Sequence, residues 1–182
     1  MLKILKPLAT VAAAALSLNA YAAVNMFLKL DGIAGESQDS THKGEIDVLA
    51  WSWGMSQSGT THISSGSGAG KASFQDISVT KWVDKSSVPL MQNIATGKLI
   101  AEATLVVRKA GRLPVEYIKI IMKNVLVTSS STGGAGGEDR LTENISLNFA
   151  EFCTEYVETS PLDGTAVKTH SFCYDIAAQQ VK

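Results

Sequence analysis

Residues 86–128 constrain the fold more than any other part of the sequence. They contain a short amphipathic segment ending near Gly97, followed by two strands rich in Val, Ile, Leu and Tyr that are joined by a turn at Gly111. Ser87 and Gly97 predict the two ends of a helix, because serine caps helix N-termini and glycine adopts the left-handed conformation that closes a helix. Val88, Met91, Ile94 and Ala95 fall on one face at helical spacing, and such an apolar face is expected to pack toward the core.

The hairpin that follows this helix has a predictable register. If Arg112 lies at the centre of the turn, Arg108 pairs with Glu116 and Val106 pairs with Ile118. The second strand of the hairpin is apolar at most of its even and odd positions, whereas a sheet with one wet face should alternate. We therefore expect cover on both faces of the hairpin, either from the rest of this chain or from another copy of it.

The other segments also favour β-structure. Residues 45–53 alternate as a strand that carries Leu49, Trp51 and Trp53 on one face, where the two tryptophans are expected to anchor the core. Residues 141–149 alternate more cleanly, with apolar side chains at four of the five odd positions. The sequence as a whole predicts a mainly β domain with one short α-helix.

The first 22 residues have the pattern of a secretory signal peptide. Basic residues precede a short apolar run rich in Ala and Leu, and a small-x-small triplet ends at Ala22. We expect cleavage between Ala22 and Ala23, which leaves residues 23–182 as a single domain without a membrane segment. A membrane anchor is the alternative, but the apolar run is short for a bilayer span.

The two cysteines are placed to form a disulfide. Residues 149–158 and 167–176 are predicted to be two strands joined by a turn at Asp163. A turn centred there puts Cys153 directly opposite Cys173, at a separation that a disulfide can span. An even number of cysteines in an exported chain agrees with such a bond.

No set of residues predicts catalysis, a metal or a cofactor. The histidines His42, His62 and His170 stand far apart, without the spacing of a zinc site. The glycine-rich residues 66–71 depart from a phosphate-binding loop, because the required first glycine is replaced by Ser65. The net charge of −1 gives no electrostatic case for nucleic acid as a partner. We expect a protein that is not an enzyme.

Several long strings resemble the haemolysin-coregulated protein, or Hcp, family, the tube proteins of type VI secretion. They are Thr41–His42, Gly44–Gly59, Arg108–Gly111, Val115–Tyr117, Val125–Val127, Ser131–Gly134 and Gly137–Asn144, and the likeness runs from about Asn25 to the C-terminus, weakest after Phe149. The resemblance implies a two-sheet antiparallel β-barrel with one short α-helix at its side. It also implies a homohexameric ring with a wide channel, and rings that stack into a tube.

The resemblance further implies partners and site residues. A spike protein sits at the tube tip, and small effector proteins travel in the channel. In the family, the strand that carries Ser52 contributes to the channel wall, so Ser52 is the candidate contact with cargo. The loop that reaches the neighbouring ring corresponds to residues 57–72, with candidate stacking residues Gln57, Ser58, Gly59, His62 and Lys71.

Two features depart from the family pattern. Tube subunits normally lack a signal peptide, and the pair Cys153 and Cys173 is not part of the pattern. The alternative function is therefore that of an exported relative, a secreted or periplasmic binding protein that is not built into a contractile tube. A start at Met26 would instead remove the apparent signal. In either case we expect the protein to be extracellular, and we expect it to pass through the periplasm if the signal peptide is used.

Overall fold

The computed structural model of the chain describes residues 24–58, 71–109, 114–137 and 139–182. Within them lie one helix, α1 (Ser87–Thr96), and eleven strands. The first six strands are β1 (Val24–Leu30), β2 (Ile46–Ser52), β3 (Met55–Gln57), β4 (Ala72–Phe74), β5 (Ile77–Trp82) and β6 (Ile100–Lys109). The others are β7 (Val115–Gly133), β8 (Thr142–Asn148), β9 (Glu151–Thr159), β10 (Ala166–Asp175) and β11 (Gln180–Val181).

Six antiparallel strands close into a barrel in the order β7-β6-β1-β2-β5-β8, because β8 pairs with both β5 and β7. The long strand β7 makes closure possible, since its first part pairs with β6 and β9 and its last part pairs with β8. Strands β9, β10 and β11 extend the sheet beyond the barrel, and β3 and β4 form a separate two-stranded sheet. The predicted β-barrel with one helix is confirmed.

The barrel interior is filled by the inward residues of the alternating strands. The fully buried side chains include Leu28, Ile46, Ile77, Leu105, Met122 and Leu147. Each such residue contributes about 1.5–3 kcal/mol relative to an exposed position. The helix α1 packs against β7. Among the described residues, no helix is both long and apolar enough to cross a bilayer.

The helix ends where the sequence predicts, but it presents a different face to the barrel. Gly97 has a φ of 65° and closes the helix with its N–H bonded to the carbonyl of Asn93. The buried helix residues are Ser87, Leu90 and Asn93, whereas Val88 is 73% exposed and Met91 is 45% exposed. The prediction that Val88 and Met91 face the core is therefore wrong.

Ser87 explains this orientation of the helix. It is the first helical residue, and the position before it, Ser86, makes no side-chain cap. The Ser87 hydroxyl instead donates to Glu143 at 2.6 Å, while it accepts from the N–H of Asp84 at 3.1 Å. Because Glu143 lies inside the barrel, this bond turns the face of Ser87 and Leu90 inward.

The predicted hairpin register is confirmed at one pair and shifted at the other. Arg108 pairs with Glu116, as predicted. Val106, however, pairs with Lys119, and Ile118 pairs with Val107. A register shift between Val107 and Arg108 causes the difference. Such a β-bulge places two residues of one strand opposite one residue of its partner.

The chain itself covers much of the hairpin on both faces. Val106 on the outside of β6 is only 4% exposed, as is its neighbour Phe27 on β1. The ring of His42, from the segment before β2, stacks on Phe27 with 4.1 Å between ring centroids. The outer face of β7 is less covered, since Tyr117 and Ile121 are half-buried.

A second irregularity changes which residues of β2 face the core. The pairing of β2 with β5 shifts register between Val48 and Ala50. Val48 and Trp51 therefore both pack against the core, while Leu49 between them is 38% exposed. The predicted grouping of Leu49 with the two tryptophans is wrong, because that grouping assumed an unbroken alternation.

Candidate channel-facing surface

The outside of the barrel carries a polar surface that spans four strands. Strand pairing aligns its residues in two rows, which we call the serine row and the mixed row. The serine row is Ser52, Ser78, Ser146 and Ser129, and the mixed row is Ala50, Thr80, Asn144 and Ser131. Directly opposed residues in adjacent strands share a face. The eight side chains therefore form one small, uncharged patch.

Strand alternation explains why these residues lie together. In β5, Ile77 and Val79 are fully buried, so Ser78 between them points away from the core. In β8, Ile145 and Leu147 are fully buried and Ser146 points outward in the same way. The bulge in β2 brings Ser52 to the same outer face, where it is exposed.

Hydrogen bonds fix several side chains of this surface. The hydroxyl of Thr80 donates to the amide oxygen of Asn144 at 2.6 Å. At the border of the patch, Asp76 accepts from the Thr128 hydroxyl at 2.6 Å and from the Asn148 amide at 2.7 Å. The carboxylate of Asp76 is thus hydrogen-bonded at the border, and neither row contains a lysine or an arginine.

The ring-stacking candidates lie partly on the β3–β4 ribbon, which follows directly from β2. Gln57 ends β3 and pairs with Ala72 of β4, and both Ser58 and Lys71 are exposed beside this pair. Gly59 and His62 lie outside the described residues, and so do the cleavage candidates Ala22 and Ala23.

Aromatic contacts attach this ribbon to the barrel. The indole N–H of Trp53 donates to the carbonyl of Gln75 at 3.0 Å. The ring of Phe74 lies 5.5 Å from that of Phe152 and 5.2 Å from that of Tyr174. Side chains of β9 and β10 therefore pack against the β3–β4 ribbon.

The predicted disulfide is present. Cys153 lies directly opposite Cys173 across β9 and β10, and the two sulfurs are bonded. Strand β9 itself pairs with the barrel strand β7, where Cys153 is the partner of Ile121. The bond therefore ties the outer strand β10 to a strand that is fixed on the barrel.

A buried charged group at one end of the barrel was not predicted from the sequence. Lys81 and Glu143 are cross-strand partners, both fully buried, with 2.5 Å between Nζ and Oε1. Lys81 also donates to Asp84 at 2.9 Å and to the carbonyl of Trp82 at 2.7 Å. One feature of the sequence could have indicated this buried pair. Lys81 occupies the next inward position of β5 after Ile77 and Val79, and Glu143 likewise stands in an otherwise apolar inward row of its strand.

The neighbouring Asp84 stays ionised within this group. Burial raises the pKa of Asp84, but hydrogen bonds from Lys81 and Ser86 outweigh that effect and hold it below its ordinary value. Among the described residues, the second oxygen of Glu143, Oε2, has no hydrogen-bond partner. The group joins β5, β8 and the start of α1, because Ser87 also donates to Glu143.

A further ion pair holds the segment before β2 against the barrel. The guanidinium of Arg108 binds both carboxylate oxygens of Asp39, and it donates to the Thr41 hydroxyl at 2.8 Å. These bonds from Arg108, together with the N–H of Thr41, hold the pKa of Asp39 well below its usual range. His42 lies 2.9 Å from Glu45 in the same segment.

Acid is expected to release this segment. A carboxyl group whose pKa is lowered by folding stabilises the folded state fully above its ordinary pKa, which is 3.8 for Asp39. That contribution declines as the pH falls below this value toward the lower pKa of the folded state. The protection of the Thr41 and His42 amides, measured relative to the exchange rate of an unfolded chain at the same pH, should therefore fall below about pH 4. In the control Asp39→Asn, exchange should be fast at neutral pH and should lack this acid dependence, and an unchanged profile would contradict the assignment.

Comparison with known proteins identifies the family of the chain. A family model described as "Type VI secretion system effector, Hcp" matches residues 27–156. The chain belongs to the Hcp family. Protein hcp1 of Pseudomonas aeruginosa is 57% identical over 135 residues, which cover 74% of this chain and 83% of that protein.

Solved Hcp structures share the fold. The crystal structure of Hcp1 from Salmonella typhimurium has 37% identity and a TM-score of 0.72, covering 88% of this chain and 99% of the other. The structure of a type six secretion system protein reaches a TM-score of 0.83 at 29% identity, with 88% of this chain and 100% of the other covered. The prediction of a tube subunit of a type VI secretion system is thereby confirmed.

Membership of the Hcp family has consequences for partners and chemistry. Hcp proteins are exported structural proteins of the secretion system that form ring assemblies.

Within the described residues, no three His, Cys, Asp or Glu side chains form a cluster that could hold a metal ion. His42 is buried beside Glu45, His170 lies on β10, and His62 is outside the described residues.

Proposed function

We propose that six copies of this chain form a ring whose channel wall is made of the serine row and the mixed row. The observation that carries the proposal is the absence of charge from all eight side chains of these rows. Charged walls attract or repel proteins according to their net charge. A hydroxyl- and amide-lined wall holds a small effector protein by weak contacts and still allows it to move along the channel.

Exposed apolar side chains near the β9–β10 ribbon support assembly. Tyr156 is 48% exposed, Phe172 is 41% exposed and Val167 is 62% exposed. Contact with a neighbouring subunit would remove this surface from water, which favours association. Light scattering should report a hexamer, and electron micrographs of concentrated protein should show rings stacked end to end. A strictly monomeric protein at high concentration would contradict the proposal.

Ser52 is the proposed cargo contact. Ser52→Gln adds a long side chain to the edge of the serine row and is expected to lower the amount of co-purified effector by about tenfold, equivalent to about 1.4 kcal/mol. The hexamer should remain intact in native mass spectrometry. The matched control is Ser40→Gln, at an exposed serine of the segment before β2 that lies outside both rows. Equal cargo levels for the wild type and Ser52→Gln would remove Ser52 from the site.

The β3–β4 ribbon is the proposed contact between stacked rings. Support comes from its exposure, with Met55 at 51%, and from its aromatic attachment to the barrel. Gln57 belongs to the ribbon, Ser58 and Lys71 border it, and Gly59 and His62 belong to the sequence segment between its strands. A spike protein at the tube tip and small effectors in the channel are the further partners of this proposal, and the proposed role requires no catalytic residue.

The route of export is a separate part of the proposal. We propose that residues 1–22 are a signal peptide and that the mature domain is 23–182. The disulfide favours a protein that spends time in an oxidising compartment. If the signal peptide is used, the alternative function is that of a secreted or periplasmic binding protein that is not built into a contractile tube. N-terminal sequencing of protein from the culture medium tests the route, because a start at Ala23 supports the signal peptide and an uncleaved N-terminus contradicts it.

A further inference from the structure

We propose that the Cys153–Cys173 bond is a redox-controlled lock on the ribbon formed by β9 and β10. The lock is open in a thiol-rich compartment and closed in an oxidising one. The lock concerns the single subunit, because the subunit contacts proposed at Val167 and Phe172 would cover part of the same strand.

Strand β10 is weakly attached to the rest of the molecule. Along most of its length it pairs only with β9, and β11 adds pairs at Tyr174 and Asp175 alone. Every residue from Ala166 to Phe172 is exposed. The outer part of this strand is therefore held by backbone hydrogen bonds to one neighbour and by the contacts of His170 with Tyr156 and Glu158 of that neighbour.

The base of the ribbon is fastened on two faces. On one face Phe172 and Tyr174 contact Phe152, with 5.8 Å and 6.3 Å between ring centroids. Successive residues of a strand point to opposite faces. The adjacent pair Cys153 and Cys173 therefore lies on the other face, where the disulfide provides a covalent link. Reduction would remove this covalent link and leave the aromatic contacts and the backbone hydrogen bonds to β9 and β11 to hold the base of β10.

Both cysteines are half-buried, which leaves them within reach of small thiols. A small thiolate attacks one sulfur, and the other leaves as a thiolate that takes up a proton. A second small thiol then attacks the mixed disulfide and releases a small disulfide. In total the protein gains two electrons and two protons, the small thiols are oxidised, and a small disulfide reverses the exchange.

The open and closed states differ in the freedom of an edge strand. An exposed edge presents unpaired backbone groups that can pair with other chains, and a weakly specified strand can slip in register. The closed bond joins two positions 20 residues apart in sequence and so restricts the opening of the segment between them. A subunit outside the cell then keeps β10 paired and less accessible to proteases.

Hydrogen exchange on the full-length protein tests the lock. With excess glutathione, amides of residues 166–172 should exchange up to about 200-fold faster than in the oxidised protein, the factor expected for closing a loop of 20 residues. Amides of β6 and β8 in the barrel should change less than about twofold. The double variant Cys153→Ser/Cys173→Ser should behave like reduced protein and should not respond to thiol.

Three results would overturn the proposal. Equal acceleration of amide exchange in the ribbon and the barrel would show that the disulfide stabilises the whole fold. No acceleration in either would show that the disulfide does not hold β10. The third is a bond that stays fully oxidised in a glutathione buffer set to the redox potential of a reducing cytoplasm. Because the wild type is measured in both redox states, the outcome does not depend on whether the double variant folds.

Discussion

Replacing Lys81 with methionine is expected to destabilise the barrel by about 3–5 kcal/mol, because it leaves the fully buried Glu143 without its ionic partner. The removed ammonium group also donates to Asp84 and to the carbonyl of Trp82, and both acceptors would lose a donor. Urea unfolding followed by tryptophan fluorescence measures the change, since Trp51 and Trp53 pack against the core.

Two further variants sharpen this measurement. Lys81→Met combined with Glu143→Leu should recover much of the lost stability, because apolar residues often replace a buried ion pair at little cost. Lys168→Met is the matched control at an exposed lysine of β10, where a change within about 0.5 kcal/mol is expected. A loss at Lys81 no larger than that at Lys168 would show that the buried pair does not stabilise the fold.

Replacing Phe152 with alanine is expected to cost about 3–5 kcal/mol, because it opens a cavity at the junction of the barrel and both ribbons. The Phe152 ring is 2% exposed and touches the rings of five other residues, Trp53, Phe74, Phe149, Phe172 and Tyr174. Urea unfolding gives the global loss, and hydrogen exchange should show faster opening of β3, β4 and β10.

The controls for Phe152 separate volume from position. Phe152→Leu retains part of the packing and should cost less than the alanine variant. Leu162→Ala, at a turn residue that is 96% exposed, should change stability by less than about 0.5 kcal/mol. If Phe152→Ala lowered stability without faster exchange in either ribbon, the ring would be a core residue with no role in supporting them.

Correct predictions from the sequence concern neighbouring strands joined by short turns. Arg108 lies opposite Glu116, and Cys153 lies opposite Cys173, as the turn positions indicate. The register of a hairpin depends on the length of its turn, which is local information. The end of α1 at Gly97 is equally local, since it depends on one glycine in a left-handed conformation.

The errors arose where a distant segment changes the local pattern. The bulge at Val48 exposes Leu49, because β2 must fit β5, a strand about 30 residues later. The helix turns Leu90 and not Val88 inward because Ser87 bonds Glu143, which is 56 residues away in sequence. The periodicity of residues 87–96 alone gives no information about that hydrogen bond.

The candidate channel surface shows the same division. Alternation in β5 and β8 already sets Ser78 and Ser146 on the outer faces of their strands, and the family resemblance points to Ser52. Only barrel closure, through the pairing of β8 with both β5 and β7, brings Ser52, Ser78, Ser146 and Ser129 into one row. The sequence by itself determined the β-rich class, the local hairpins and the family. The tertiary structure decided the helix face, the buried Lys81–Glu143 pair and the continuous polar wall, because each depends on contacts between segments far apart in the chain.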